Sequence, residues 1–438
     1  MNTSIVWFKT DLRLHDNETL IKAIEQSDNI IPVYCFDDDH FKLTEFGFHK
    51  TGNFRAQFLL ESLKDLDENL RKLGSGLIIV RGKPEYELFK LVQKYQVKKV
   101  FTKKEVAYEE KQTEERVEKE LWKLKCELET FSTSTLYHAQ DLPFSIKDIP
   151  DIFTNFRKRT EKESQIRSIF AAPKEIKSPP IPELTLPKLK QFGLPQIIKD
   201  QRTAFPFKGG ETEAYQRLHY YFSETKYISK YKETRDSLMG SDYSSKFSPW
   251  LAIGCLSPRE IYYELKKYED EFGSNESTYW LVFELLWRDY FRFMMKKHRH
   301  HFFLQTGIKS TDTHTNQNNQ DLLDKWINGN TGLDFIDANM IELKLTGFMS
   351  NRGRQNVASY LCNDLKLDWR YGAAYFEQQL IDYDVCSNWG NWAYLAGVGN
   401  DPRGNRYFNT DKQAEAYDSK KQYRSFWLVK NQRRKLFK

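Results

Sequence analysis

Five short apolar runs in the first third of the chain alternate with stretches of helical periodicity. The runs are typical of buried strands, and the stretches at 17–26, 53–73, 85–95 and 108–125 are typical of amphipathic helices. Asp16 and Thr51 are expected to cap the first two helices. Alternation of this kind predicts an α/β domain with a doubly wound parallel sheet. The predicted strands are 5–8, 30–36, 77–80, 97–101 and 128–131.

The rest of the chain has a different pattern. Nine of the 14 prolines lie between Pro143 and Pro206, which predicts a long surface linker over residues 133–208. From about Glu211 onward, helix-forming residues with a 3.6-residue period dominate. We therefore expect an α/β domain over residues 1–132 and an all-helical domain over residues 209–438.

Composition and charge restrict the class of protein. A hydrophobic content of 39% suits a globular fold, and no apolar run is long enough to cross a membrane. The five cysteines are scattered without a CxxC pair, which argues against disulfides or a metal site and favours a reducing cytoplasm. The net charge of +6 only weakly indicates nucleic-acid binding. The eight basic residues from Lys420 to Lys438 fit a solvated terminal helix as well as a binding surface.

Two stretches of the helical half contain functional residue types at informative spacing. Hydroxyl-rich residues 242–250, shortly after residues 231–235, lie before a predicted helix and suit a pyrophosphate or, equally, an ordinary helix cap. On the helix at 283–292, Glu284, Trp287 and Arg288 share a face. That face suits a flat heteroaromatic ligand, and a buried ion pair beside a core tryptophan is the alternative.

Two further stretches, 346–356 and 381–392, combine arginines, aspartates and asparagines. Such residues are costly to bury unless they satisfy one another or a polar ligand. Arg354 facing Asp382 is the pairing we expect, within either a ligand site or a purely structural network.

These stretches and residues 7–17 resemble motifs of the photolyase/cryptochrome family, in the family's order and over nearly the whole chain. Residues 347–356, 384–392 and 397–403 are similar to the DASH branch of that family. The resemblance implies FAD bound by the helical domain, with Asn388 facing flavin N5 and Arg354 paired with Asp382 beside it. The FAD-contacting residues it implies are Tyr231, Ser244, Ser245, Phe247, Ser248, Arg288, Asn351, Arg354, Asp382, Asp384 and Asn388.

The activity implied by the resemblance is light-driven repair of cyclobutane pyrimidine dimers by electron transfer from excited, reduced FAD. Glu284 corresponds to the acid that hydrogen-bonds a pyrimidine carbonyl, and Trp287 would stack on the flipped dimer. Gln355 and Tyr394 stand where duplex-repairing relatives have other residues, so single-stranded DNA is the expected substrate, with RNA as a further possibility. A monomer is expected. A blue-light receptor without repair activity is the main alternative.

The resemblance also implies an electron relay and an antenna. Trp392 and Trp369 match the two relay tryptophans nearest the flavin, but Asn316 stands where an exposed tryptophan is expected. Tyr371 and Tyr375 are candidates for the end of the relay. The antenna would be methenyltetrahydrofolate, contacted by Glu105 or Glu109, and both residues are equally consistent with solvated helix charges. No metal is expected.

Overall fold

A five-stranded parallel sheet forms the centre of the N-terminal half, in the order β3-β2-β1-β4-β5. The structure is a computed structural model and describes residues 2–309, 319–403 and 406–435. All five predicted strands are confirmed, with ends shifted by one or two residues. The strands are β1 (Thr3–Phe8), β2 (Asn29–Phe36), β3 (Ile78–Arg81), β4 (Lys99–Lys103) and β5 (Glu127–Phe131).

Four helices cover the sheet on its two faces, as the doubly wound fold requires. One face packs Ile5 and Ile31 against Leu88 and Val117, which lie on α3 and α4. The opposite face packs against α1 and α2. These helices are α1 (Glu18–Gln26), α2 (Asn53–Lys72), α3 (Pro84–Tyr95) and α4 (Tyr108–Trp122).

Both predicted N-caps are wrong by one residue. The side chain of Asn17, not Asp16, accepts the bond from the backbone N–H of Leu20 at 3.1 Å. Gly52, not Thr51, occupies the cap position of α2. Asp16 is instead part of a buried ion pair described below, and that stronger interaction takes its carboxylate away from the helix.

The segment expected to be a surface linker is partly folded into the core. It contains helix α5 (Phe153–Glu163), whose Phe153 and Phe156 are buried. Phe156 packs on Tyr290, with ring centroids 5.2 Å apart. The prolines correctly indicate irregular backbone around α5, but the aromatic side chains bury this part of the segment because they contribute large apolar area.

The second half is all-helical, as predicted. Helix α10 (Glu276–His298) lies at its centre and packs against α5, α7 (Tyr231–Thr234), α9 (Pro258–Phe272) and α15 (Val385–Leu395). Within the described ranges, no helix is long and apolar enough to cross a membrane. The helices are α6 (Glu211–His219), α7 (Tyr231–Thr234), α8 (Ser248–Ile253), α9 (Pro258–Phe272), α10 (Glu276–His298), α11 (Gln320–Ile327), α12 (Asp334–Thr346), α13 (Asn351–Ser359), α14 (Trp369–Gln379), α15 (Val385–Leu395), α16 (Thr410–Asp418) and α17 (Gln422–Lys435).

The loop after β1 joins the two halves through buried polar contacts. Arg13 donates to the backbone carbonyls of Gly254 at 3.0 Å and Thr133 at 3.1 Å. The carboxylate of Glu211 accepts the backbone N–H groups of Leu14 and His15, each at 3.0 Å. Because these groups are removed from water, the halves must meet in one orientation to satisfy them.

Asp16 and Arg259 form a buried ion pair at this junction. Arg259 donates from Nη2 at 2.6 Å and from Nε at 3.0 Å, and Ser257 donates to the same carboxylate. The side chain of Asp16 is fully buried, and that of Arg259 is 7% exposed.

We predict that Asp16→Asn lowers the free energy of unfolding by about 3 kcal/mol, because it leaves the Arg259 charge buried without a counter-charge. Asp38→Asn is the control, since Asp38 pairs with Arg81 at the surface and such pairs contribute at most about 1 kcal/mol. Urea unfolding of the wild type and both variants measures this. Equal effects of the two substitutions would contradict the role of Asp16.

Candidate flavin site and inter-domain cavity

Arg217 fixes the hydroxyl-rich loop of residues 242–248 that leads into α8, here called the serine loop. The guanidinium donates to the carbonyls of Ser245 at 2.9 Å and Ser244 at 3.2 Å. Phe247 is buried, and its ring meets the edge of Tyr221. The backbone bonds fix the course of the loop and leave the serine hydroxyls for other partners.

The predicted pairing of Arg354 with Asp382 is confirmed. Nη2 of Arg354 donates to both carboxylate oxygens at 3.0 and 2.9 Å, and Nε donates to the carbonyl of Met349. Ser248 Oγ donates to the same carboxylate at 2.6 Å, which connects the serine loop with α13 and the start of α15. Asn351 begins α13, one turn before Arg354.

Lys246, in the middle of the serine loop, was missed at the sequence level. Its ammonium lies 3.2 Å from the ring centroid of Tyr243 and has no hydrogen-bond partner among the described residues. Burial lowers the pKa of Lys246 well below its ordinary value. A buried lysine whose ammonium has no hydrogen-bond partner among the described residues suits an anionic ligand, so this loop is a candidate site for a pyrophosphate. The signal was available, because a single lysine interrupts a run of small polar residues.

Two further predicted residues lie on α15. Asp384 caps this helix by accepting the N–H of Ser387 at 2.8 Å. Burial opposes its ionisation, but the charges of Arg288 and Arg292 hold its pKa below the ordinary value. Asn388 is buried and donates to the carbonyl of Ala373 at 3.0 Å, which leaves its amide oxygen for a ligand.

Helix α10 presents the predicted Glu284–Trp287–Arg288 set, but the three side chains have different partners. Glu284 accepts a bond from Arg235. Burial raises the pKa of Glu284, although Arg235 opposes the shift. Arg288 donates to backbone carbonyls, including that of Leu251 at 3.1 Å. The set is therefore neither one mutual ion pair nor three free ligand groups.

The ring of Trp287 has neighbours on both the α5 and α15 sides. Phe153 stacks on one face, with centroids 3.7 Å apart and the planes inclined by 14°. Tyr394 meets Trp287 edge-on at 5.8 Å, and the guanidinium of Arg406 lies 5.1 Å from the Tyr394 ring.

Gln355 lies on α13, and its amide oxygen accepts a bond from Arg352 Nη1 at 2.9 Å. Its side chain is therefore held in place by a neighbour one turn away on the same helix.

The two predicted relay tryptophans are both buried. Trp392, on α15, packs on Gly372 of α14, where an added Cβ would lie 2.2 Å from the indole. Trp369 lies on α14, one turn before Gly372. Trp369 also meets Trp389 edge-to-face, with centroids 5.7 Å apart. Asn316 lies outside the described residues.

The two tyrosine candidates differ in their surroundings. Tyr375 is buried, and its hydroxyl has no partner within the described ranges. Tyr371 is half-buried and packs on Phe46.

A cavity of about 610 Å³ lies between the two halves, at the carboxyl ends of β1, β2 and β4. This edge is where doubly wound sheets bind ligands. Glu105 on its wall is buried and pairs with Arg292 at 2.8 Å and Lys103 at 3.1 Å, so it is not a solvated helix charge. Glu109 is exposed and pairs with Lys50.

Glu110 also lines this cavity and was missed, because nothing in the local sequence distinguishes it from Glu109. One of its oxygens has no partner in the described part of the chain. Burial and the charge of Glu105 raise the pKa of Glu110 to about 8.

The parallel sheet, the helical half and the polar site within it define the class of two-domain flavoproteins to which photolyases belong. Residues 4–182 match the DNA photolyase family, and residues 280–435 match the FAD binding domain of DNA photolyase. The chain therefore belongs to the photolyase/cryptochrome family.

Its relatives within the family include cryptochrome DASH proteins. Cryptochrome DASH of Danio rerio is 49% identical, over 97% of this chain and 83% of that protein. The crystal structure of a Synechocystis cryptochrome has a TM-score of 0.95 at 49% identity and covers 98% of this chain and 89% of its own. A class III photolyase from Agrobacterium tumefaciens has a TM-score of 0.84 at 25% identity, over 98% of this chain and 87% of its own.

We predict that Arg354→Met and Asp382→Asn both release flavin. Each leaves the partner's charge unpaired in a buried site, at about 3 kcal/mol, which is roughly a hundredfold in affinity. The control is Arg370→Met, because Arg370 forms an equally exposed ion pair with Asp368 at the start of α14. The measurement is FAD released per chain on denaturation, and full flavin content in either pair variant would contradict the prediction.

Proposed function

We propose that this protein repairs cyclobutane pyrimidine dimers in single-stranded DNA with light. The observation that supports this most directly is the edge-on contact of Trp287 with Tyr394, one turn from Glu284 on α10, which would offer an acid and two aromatic rings to a dimer. We further propose that the protein acts as a monomer in the cytoplasm, where its five free thiols would remain reduced.

In this proposal, Lys246 and the serine loop hold the pyrophosphate, while Arg354 and Asp382 flank the flavin ring. Bound FAD would supply the light-excited electron donor. Asn388 would offer its amide oxygen to N5, since its amide nitrogen is engaged by Ala373. The remaining predicted contacts are Tyr231, Phe247, Arg288, Asn351 and Asp384.

The chain's own contribution to repair is to bind the dimer and stabilise charge that develops on it. Trp287 would stack on the dimer with one face, because Phe153 already covers the other. Glu284 would hydrogen-bond a pyrimidine carbonyl. Because burial raises its pKa, its protonated, donating form is easier to reach than that of an exposed glutamate.

The surroundings of Tyr394 support binding of a nucleic-acid strand. Arg406 lies over its ring and Arg403 is 64% exposed, and the buried Asp401 pairs with both. Both cations suit phosphates of a strand that presents an extruded dimer. In this proposal Gln355 would make the pocket more polar, which would weaken its grip on the dimer and leave less energy for opening a duplex. Single-stranded DNA is therefore the proposed substrate.

The test is illumination of the flavin-reduced protein with dimer-containing oligonucleotides as single-stranded DNA, duplex DNA and single-stranded RNA. We expect restored pyrimidines in single-stranded DNA and little product in the duplex. Product in RNA at a comparable rate would extend the substrate to RNA. No product in any of them, with flavin still photoreduced, would refute repair and leave the light-receptor function.

We predict that Glu284→Gln keeps the flavin content but lowers the repair quantum yield on single-stranded DNA several-fold, because the acid that stabilises the developing charge is lost. Glu276→Gln is the matched control, since Glu276 lies on the same helix with an 80% exposed side chain. An unchanged quantum yield in Glu284→Gln would remove this residue from the mechanism.

We also propose that the inter-domain cavity binds methenyltetrahydrofolate as an antenna. The carboxyl oxygen of Glu110 that has no partner among the described residues suits a ring N–H donor, whereas Glu105 and Glu109 are engaged by cations. We therefore assign the contact with the pterin ring to Glu110 in preference to Glu105 and Glu109, the two acids expected from the sequence. Glu105 would instead position Arg292.

We predict that Glu110→Gln reduces folate binding while Glu115→Gln, on an exposed position of α4, does not. Reconstitution with methenyltetrahydrofolate, followed by absorbance of the bound pterin, measures this. Equal folate content in wild type and Glu110→Gln would return the assignment to Glu105 or Glu109.

A further inference from the structure

Trp389 contacts the proposed relay but has no role in the proposals above. It lies one turn before Trp392 on α15, and its ring meets that of Trp369 at 5.7 Å with an interplanar angle of 76°. Its side chain also lines the inter-domain cavity. Trp389 thus connects the buried Trp369 with a space that ligand or solvent can enter.

The indole of Trp389 differs from its neighbours in its hydrogen-bond acceptor. Its Nε1–H donates to a carboxylate oxygen of Glu377 at 3.1 Å. The indoles of Trp369 and Trp326 donate instead to the backbone carbonyls of Gln305 and Val357. A carboxylate can accept a proton, and a backbone carbonyl cannot.

The environment of Glu377 favours that proton transfer. Burial raises the pKa of Glu377, although the positive charges of Arg55 and Lys50 oppose the shift. A raised pKa makes the carboxylate a stronger base than an exposed one. Oxidation of an indole makes its N–H strongly acidic, so the proton would move along the existing hydrogen bond.

We propose that Trp389 is the end of the electron relay in this chain and that Glu377 is its proton acceptor. An electron passes from Trp389 to oxidised Trp369, and the Nε1 proton passes to the carboxylate of Glu377. The products are a neutral indolyl radical and a carboxylic acid. This inference rests on the proposed light-driven function and supplies a relay end in a chain that has Asn316 where an exposed tryptophan is expected.

The tyrosine candidates are less suitable ends. The hydroxyl of Tyr375 has no acceptor among the described residues, so its oxidised form would have nowhere to place its proton. Among the described residues the ring of Tyr371 contacts Phe46 and none of the tryptophans Trp369, Trp389 and Trp392.

The test is transient absorption after a light pulse on the holoprotein with oxidised flavin. We expect wild type to form a long-lived neutral indolyl radical. Trp389→Phe should shorten the lifetime of the separated charges several-fold, and Glu377→Gln should leave the protonated radical cation in place of the neutral radical. Trp392→Phe should abolish charge separation in every background.

Trp326→Phe is the matched control. Trp326 contacts Trp392 at 6.2 Å but has only a carbonyl acceptor, so its loss should leave lifetime and radical type unchanged. An unshortened lifetime in Trp389→Phe, a neutral radical in Glu377→Gln, or a tyrosyl radical in wild type would overturn the proposal.

Two readouts separate this inference from the proposed function. The Trp389 indole proton in the dark protein should shift upfield in the NMR spectrum of Glu377→Gln, because a charged acceptor is lost. An unchanged shift would overturn the carboxylate contact without reference to repair. Repair by chemically reduced protein should be equal in wild type and Trp389→Phe. Absent repair in wild type would refute the proposed function alone.

Discussion

The buried polar contacts of the loop after β1 determine how the two halves of the molecule meet. Arg13 bonds backbone carbonyls from the connecting segment and the helical half, and Asp16 pairs with Arg259. Apolar packing tolerates small rotations, whereas these groups lose most of their stabilisation when their partners move away. The cavity between the halves and its ion pair of Glu105 with Arg292 exist only in the orientation that these contacts impose.

Helix α10 transmits that orientation to the flavin side. Its residues point to different parts of the molecule at successive steps of about 100° around the helix. Glu284 lies at the proposed dimer pocket, Arg288 bonds carbonyls beside the serine loop, and Asp289 accepts the N–H groups of Leu136 and Tyr137. Arg292, one turn further, lies on the wall of the cavity. A single rigid helix thus spans both ligand sites.

Local patterns in the sequence were sufficient for the sheet, the helical half and the pairing of Arg354 with Asp382. A buried strand is visible in the local sequence as a short apolar run, so the ends of the five strands were predicted to within two residues. The predicted cap of α1 was wrong because Asp16 interacts with Arg259, 243 residues away. The partner of Glu105 is similarly distant, at 187 residues. Glu110 and Trp389 differ from ordinary residues only through their burial and partners, which a single sequence does not contain.

The stacking of Phe153 on Trp287 bears on how this protein can be recombined with its relatives. Phe153 belongs to the proline-rich segment between the halves, yet it forms the backing of an aromatic surface on α10. Ser134, Leu136 and Tyr137, from the same segment, also bond α10. A chimera joined after residue 163 would separate this backing from its helix, whereas a junction close to residue 132 would transfer both together. In modular terms, the segment is inherited with the helical half.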